Sequence, residues 1–272
     1  PHQLIMSATP IPRSLTMVMY ADMDISIIDE MPPGRQPVDT VVLPNTRREA
    51  VQDRIREACA RQRRAYWVCS LIEESDVLAA QAATSRAESL KAELPELRIA
   101  LLHGRIAPAE KDKIMAAFRS GEVDVLVATT VIEVGVDVPE ASLMVIENAE
   151  RLGLSQLHQL RGRVGRGDRQ SVCLLMYQAP LGNMAKERLA TMRQTTDGFA
   201  IAQKDLELRG PGELLGTRQS GAPQFRIADL VRDRALLPAV QYTADKLLRD
   251  HPDSAAPLVA RWVRAGLAFS HA

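Results

Sequence analysis

The nine residues Gln159-Leu160-Arg161-Gly162-Arg163-Val164-Gly165-Arg166-Gly167 hold three arginines and three glycines. Glycine lets a backbone approach a ligand closely, and guanidinium forks neutralise phosphate oxygens in pairs, so this run suits a phosphate-bearing ligand. The plain alternative is a solvated basic turn. Upstream, Val127 to Pro139 places the hydroxyls of Thr129 and Thr130, then Gly135 and the carboxylate of Asp137, after an apolar run. Hydroxyls and a carboxylate at such a strand end can bond a backbone phosphate and a ribose; the alternative is a β-branched turn that Asp137 caps. The Ser7-Ala8-Thr9-Pro10 segment adds a third hydroxyl-bearing stretch. His103, followed by Gly104 and Arg105, reads either as a nucleic-acid backbone contact or as a satisfied polar residue at a strand end.

These residues need elements to hold them. From residue 46 onward helical and strand patterns alternate: a helix near 46–61, a strand over 65–69, a helix near 74–94 and a strand over 98–102. A helix opened by Pro108 and closed by Gly121 follows, with strands over 123–128, 143–146 and 172–177 and a helix starting near Ser155. Short apolar strands wound with helices predict an α/β fold with a parallel sheet, whose ligands lie beyond the carboxyl ends of the strands. After Pro180 the strand signals stop. Helices near 183–194 and 199–209, broken at Thr195 to Gly198, predict a helical hairpin; a Gly-rich loop follows, and the remainder reads as helical with a polar break at His251-Pro252-Asp253. Domain boundaries are expected to give 1–20 as the edge of a preceding lobe, 21–45 as a Pro-punctuated connector with a little extended structure, 46–179 as the α/β lobe, 180–222 as hairpin and loop, and 223–272 as a C-terminal helical segment.

Composition excludes whole classes. With 46% hydrophobic and 25% charged residues, the chain buries a sizeable core and is neither disordered nor collagenous. Basic and acidic residues number 34 each, so net charge announces no nucleic-acid or membrane partner and local clustering must. Six of the 34 basic residues are lysine, leaving 28 arginines, the side chain suited to bidentate phosphate contacts. Cys59, Cys69 and Cys173 stand far apart in apolar contexts and the five histidines lack ligand spacing, so neither a disulfide framework nor a metal site on protein ligands is expected. No apolar run long enough for a membrane span and no signal-peptide pattern occurs, which leads to the expectation of a cytoplasmic protein without a membrane partner.

Taken in order, Ser7 to Pro10, Val125 to Pro139 and Gln159 to Arg166 resemble motifs III, V and VI of the superfamily two helicases. Within that superfamily the chain is most similar to the RecG family of branched-DNA helicases. The resemblance is carried by Leu4 to Arg13, Tyr66-Trp67-Val68-Cys69, His103-Gly104-Arg105, Asp197-Gly198-Phe199, Asp205 to Glu213 and Gly216 to Gly221. The resemblance implies a RecA-like second helicase lobe, then an all-helical hairpin and C-terminal helices. It also implies ATP with Mg2+ as cofactor, held mainly by a first lobe, and DNA, branched or duplex, as partner. The other partners it implies are that first RecA-like lobe and a wedge domain of the same protein.

Residue by residue, the resemblance assigns Arg163, Arg166 and Gln159 to catalysis at the nucleotide phosphates. Gly135 and Asp137 approach the ribose and couple the two sites, while Ser7 and Thr9 link nucleotide state to lobe movement. It assigns Thr129, Thr130, His103 and Arg105 to the DNA backbone, Arg188 and Arg209 to bracing the hairpin, and Gln219 to the loop that contacts DNA. No Gly-x-x-x-x-Gly-Lys-Ser/Thr loop and no Asp-Glu-x-His or Asp-Glu-Ala-Asp strand end occurs, so this chain by itself is expected not to hydrolyse ATP. Readings left open beside this one are a non-catalytic duplex-binding module and a lobe of a transcription-repair coupling translocase.

Overall fold

The computed structural model describes residues 26, 28, 35–70, 76–129, 138–167, 169–209 and 233–262. They fall into two compact units, one with the described residues from Ile28 to Ile201 and the other with those from Ala202 onward.

The first unit is a six-stranded, wholly parallel sheet. Its strands are β1 (Val38–Pro44), β2 (Arg64–Cys69), β3 (Ile99–Leu102), β4 (Val125–Thr129), β5 (Ala141–Glu147) and β6 (Ser171–Tyr177), in the spatial order β1-β6-β5-β2-β4-β3. The central strands are buried on both faces, which is why they read in sequence as continuous apolar runs; β4 and β5 are buried at every position. The crossovers are the helices α1 (Arg48–Ala60), α2 (Asp76–Glu93), α3 (Pro108–Ser120) and α4 (Leu154–Arg161). Trp67 centres one core layer with Val51 and Ile55 of α1 and Ala83, Ala87 and Leu90 of α2. Its neighbour Tyr66 points the other way and meets Phe118 of α3 with ring centroids 4.9 Å apart.

Local signals explain the ends of α3. Pro108 stands at the start, where a missing N–H is harmless, and Gly121 closes the helix at φ +86°, its N–H bonded to the Ala117 carbonyl. Beyond β6 come α5 (Asn183–Gln194), which packs against β1, and α6 (Gly198–Arg209). In the second unit α7 (Leu237–Asp250) and α8 (Ala255–Trp262) are joined by a 3-10 turn at Pro252–Ser254, the polar break read from the sequence. Among the described residues no helix is long and apolar enough to cross a membrane.

The sheet differs from expectation at one edge. The connector expected over 21–45 gives up Val38–Pro44, which pairs in parallel with β6 from Val38↔Ser171 to Pro44↔Tyr177 and extends the lobe. Of the prolines that suggested a linker, Pro37 precedes and Pro44 ends an edge strand, where a missing donor breaks no interior ladder.

Candidate functional site

Because all six strands run the same way, their carboxyl ends form one rim. Cys69, Thr129 and Glu147 stand side by side there in register, and His103 follows β3 on the same rim. Glu147 is buried, and its carboxylate pairs with Arg48 and, at 3.1 Å, with Arg86. Arg48 also lies over the Trp67 ring, its guanidinium carbon 5.7 Å from the centroid. The Ser70 hydroxyl donates to the carbonyls of Glu147 and Asn148. Asn148 takes a left-handed conformation, φ 47°, which asparagine tolerates best among non-glycine residues, and its side chain accepts from Asn45 at 3.3 Å. The rim is therefore prearranged by residues that no sequence motif singled out: Arg48, Ser70, Arg86 and Glu147. Burial pushes the Cys69 thiol up to about 12, so it stays a neutral core group beside them.

At the outer part of the rim, His103 and Arg105 line an open groove with Ala80, Gln81, Thr84 and Glu88 of α2. The His103 Nδ1 accepts the Arg105 N–H at 3.3 Å, which leaves Nε2 as the ring's donor. Burial first, then the neighbouring Arg105 and Lys111, hold this imidazole below its ordinary pKa. The Lys111 ammonium donates to the Gly104 carbonyl at 2.8 Å and fixes the turn. Thr129 ends β4 buried, its hydroxyl unpartnered among the described residues.

The glycine-arginine run lies elsewhere. The sheet topology implied a ligand site at the carboxyl ends, but the turn over 162–167 sits against the amino ends of β1 and β6. A Cβ on Gly165 would lie 2.6 Å from Val38 and 3.8 Å from Ser171, the first residues of those strands. A Cβ on Gly167 would lie 2.8 Å from the Pro139 carbonyl, ahead of β5. The reason is geometric: β5 and β6 are parallel neighbours, so α4, about 12 Å long, must carry the chain back across the sheet before β6 starts.

This turn is held from two sides. Arg35 donates to the carbonyls of Gly165 at 3.1 Å and Gly162 at 3.4 Å, a contact with no sequence signature. Gly165 adopts φ +74°, a conformation open to glycine at little cost. Gln159 and Arg163 are half-buried, whereas Arg166 is exposed, with its Nε 3.2 Å from the Gly162 carbonyl. The turn thus carries guanidinium groups on a rigid backbone, an arrangement chemically suited to phosphate oxygens. Arg188 of α5 donates to the Glu150 carbonyl at 2.6 Å, tying α5 to the turn after β5. Ser7, Thr9, Thr130, Gly135, Asp137, Gln219 and the Arg209 side chain lie outside the described residues. No group of three His, Cys, Asp or Glu suited to a metal ion occurs among the described residues.

Two family models match parts of this chain. The family model of the helicase conserved C-terminal domain matches residues 47–168, and that of ATP-dependent DNA helicase RecG, domain 3, C-terminal, matches 195–264. The chain is 60% identical over 272 residues to the ATP-dependent DNA helicase RecG of Pasteurella multocida, covering 100% of this chain and 39% of that one. To the RecG of Escherichia coli strain K12 it is 59% identical over 273 residues, with the same two coverages. A solved structure of RecG bound to a three-way DNA junction matches with a TM-score of 0.67 and 46% identity, over 85% of this chain and 30% of the other. The chain thus spans well under half the length of the relatives it matches.

Proposed function

This chain belongs to the RecG family of superfamily two helicases, and from that premise we propose that it supplies the second motor lobe and translocation element of an ATP-dependent DNA helicase that remodels branched DNA. The stalled replication forks and Holliday junctions of recombination and repair are its substrates in this reading, and the cytoplasm its compartment. The observation that carries it is the separation of two polar surfaces on one sheet: a rigid arginine turn at the amino edge and a prearranged polar rim at the carboxyl edge. One lobe can then face a nucleotide on one side and a DNA backbone on the other.

The residues present fit a triphosphate. Arg163 and Arg166 would hold phosphate oxygens, with Gln159 beside them, and by the family pattern Mg2+ would be held mainly by the first lobe. ATP hydrolysis would supply the free energy of stepping. An arginine held on a fixed turn stabilises charge that spreads over the transferred phosphoryl group. At the rim, His103 Nε2 and Arg105 would donate to a phosphodiester, which positions DNA without reading its sequence. Arg188, and by the family pattern Arg209, would brace the helices that convert lobe movement into translocation, with Gln219 touching DNA, Thr129 and Thr130 facing the DNA backbone, and Gly135, Asp137, Ser7 and Thr9 coupling the two surfaces. A chain without a phosphate loop binds ATP weakly and does not turn it over alone.

The test is ATP hydrolysis by the full-length protein with branched DNA, linear duplex or RNA. Stimulation chiefly by branched DNA, reduced about a thousandfold in Arg166→Ala and uncoupled from unwinding in Gln219→Ala, is the expected result. Equal stimulation by linear duplex would point to a repair translocase. No stimulation would leave a DNA-binding module without a motor.

A further inference from the structure

The glycine-arginine turn is steered by an arginine that lies outside it. The N–H groups of Gly162, Arg163 and Val164 donate back to the carbonyls of His158, Leu160 and Arg161, so α4 itself fixes the amide side of the turn. The carbonyl side is held from far away in the chain. Arg35 Nε donates to the Gly165 carbonyl at 3.1 Å and Nη2 to the Gly162 carbonyl at 3.4 Å, across 130 and 127 positions of sequence. Arg35 is half-buried, and among the described residues no carboxylate pairs with it. A planar fork committed to two carbonyls fixes backbone geometry, which is a different task from neutralising a charge.

Gly165 carries the other half of the same contact. A Cβ there would stand 3.6 Å from the Gln36 carbonyl and 2.6 Å from the Val38 methyl, so the residues just after Arg35 press on the left-handed residue of the turn. The close approach that demands glycine at 165 is the approach that lets Arg35 reach both carbonyls.

The Gly162 carbonyl is also shared. Arg166 Nε meets it at 3.2 Å, so two guanidinium groups converge on one acceptor and repel each other. Burial first, then Arg161 and, less strongly, Arg35 hold the nearby His158 imidazole below its ordinary pKa against the pull of Asp197. An anion arriving at the turn relieves that repulsion. Of the pair, Arg35 is the anchored member, half-buried with two acceptors, and Arg166 is the exposed one.

We propose that Arg35 is a positioning residue for ATP hydrolysis: it keeps the Gly162 and Gly165 carbonyls in place when Arg166 leaves the shared acceptor for the transferred phosphoryl group, and so sets where the Arg166 guanidinium lands. This rests on the motor reading above. Arg35 itself touches no nucleotide. It stands just ahead of β1, on the stretch by which the chain arrives from the first lobe in that reading, so the turn is clamped by the segment that leads from the nucleotide's main binding site.

The test measures ATP hydrolysis by the full-length protein at saturating forked DNA for the native chain, Arg35→Ala, Arg35→Lys, Arg166→Ala and the double variant of Arg35→Ala with Arg166→Ala. The expected result for Arg35→Ala is a kcat about thirtyfold lower with KM for ATP within about twofold of native, because a reacting group displaced by about 1 Å loses rate more than ground-state binding. Arg35→Lys, which keeps the charge without the planar fork, should stay about tenfold low. In the Arg166→Ala background, removing Arg35 should lower kcat by less than about twofold, since the group it positions is gone. A further fall of about thirtyfold in the double variant would mark an independent structural role and overturn the proposal. So would a native kcat in Arg35→Ala, full recovery by lysine, or a raised KM with kcat unchanged, which would put Arg35 on the nucleotide. Should Arg35→Ala fail to fold, the same cycle run with Arg35→Lys decides the matter. Native hydrolysis that no DNA stimulates would sink the motor reading instead, and that is read from the native protein alone.

Discussion

Glu147 shows how much a single buried carboxylate organises at the rim. Its side chain is 7% exposed and the two arginines against it are 24% and 27% exposed, so removing it strands two partly desolvated cations facing each other. Glu147→Ala should lower unfolding stability by about 3 kcal/mol, and Glu147→Gln, which keeps one acceptor for one arginine, by about half as much. Urea unfolding with an unchanged m-value checks both. His158 gives the residue scale its pH dependence. Its folded pKa lies below the ordinary value, so the unfolded chain binds the proton more readily. The stability it contributes is complete above about pH 6.5 and is lost as pH falls through the folded pKa. Acidification from about pH 7.5 to about pH 5 should therefore destabilise the native chain more than His158→Gln, compared by urea midpoints across that range.

At the scale of elements, two glycines with positive φ make different demands. At Gly121 an added Cβ would meet the Arg64 guanidinium at 2.8 Å, the far end of a flexible side chain, whereas at Gly165 it would meet the Val38 methyl of a strand at 2.6 Å. Gly121→Ala should cost about 1 kcal/mol from the left-handed backbone, and Gly165→Ala distinctly more, because β1 cannot step aside without losing its ladder to β6. Thermal unfolding of the two variants side by side measures the difference. The same contrast explains what the sequence could show. Pro108 and Gly121 punctuate α3 by local chemistry, and the apolar runs of β2, β4 and β5 reflect burial on both faces, so those elements were legible to within a few residues. Strand β1 was legible only as a little extended structure in a connector, since an edge strand bounded by prolines looks like a linker until β6 is beside it. The opposite placement of the arginine turn and the histidine rim depends on strand order, and no local pattern encodes that. Arg35 and Arg161 act through backbone carbonyls, which have no residue identity to recognise.

At the scale of the whole molecule, 34 basic and 34 acidic residues cancel, so in the function proposed above the DNA affinity of this chain would come from local phosphate contacts at the rim. Exposed ion pairs such as Arg98 with Asp124 at 2.6 Å consume part of the arginine excess over lysine, so the abundance of arginine alone overstates how much of the surface is available to phosphate. A protein built this way should bind forked DNA with a modest dependence on salt, log K falling against log salt with a slope equivalent to a handful of phosphates rather than about ten. Arg105→Ala should make that slope shallower by about one and weaken binding to all sequences alike, because Arg105 would contact the backbone and not a base edge. Fluorescence anisotropy on forked DNA across a salt series reads both quantities from the same titrations. An unchanged slope with weakened binding would mean that Arg105 shapes the turn after β3 instead of neutralising a phosphate. A loss confined to one sequence would mean that it reads bases, which would count against the sequence-independent translocation proposed above.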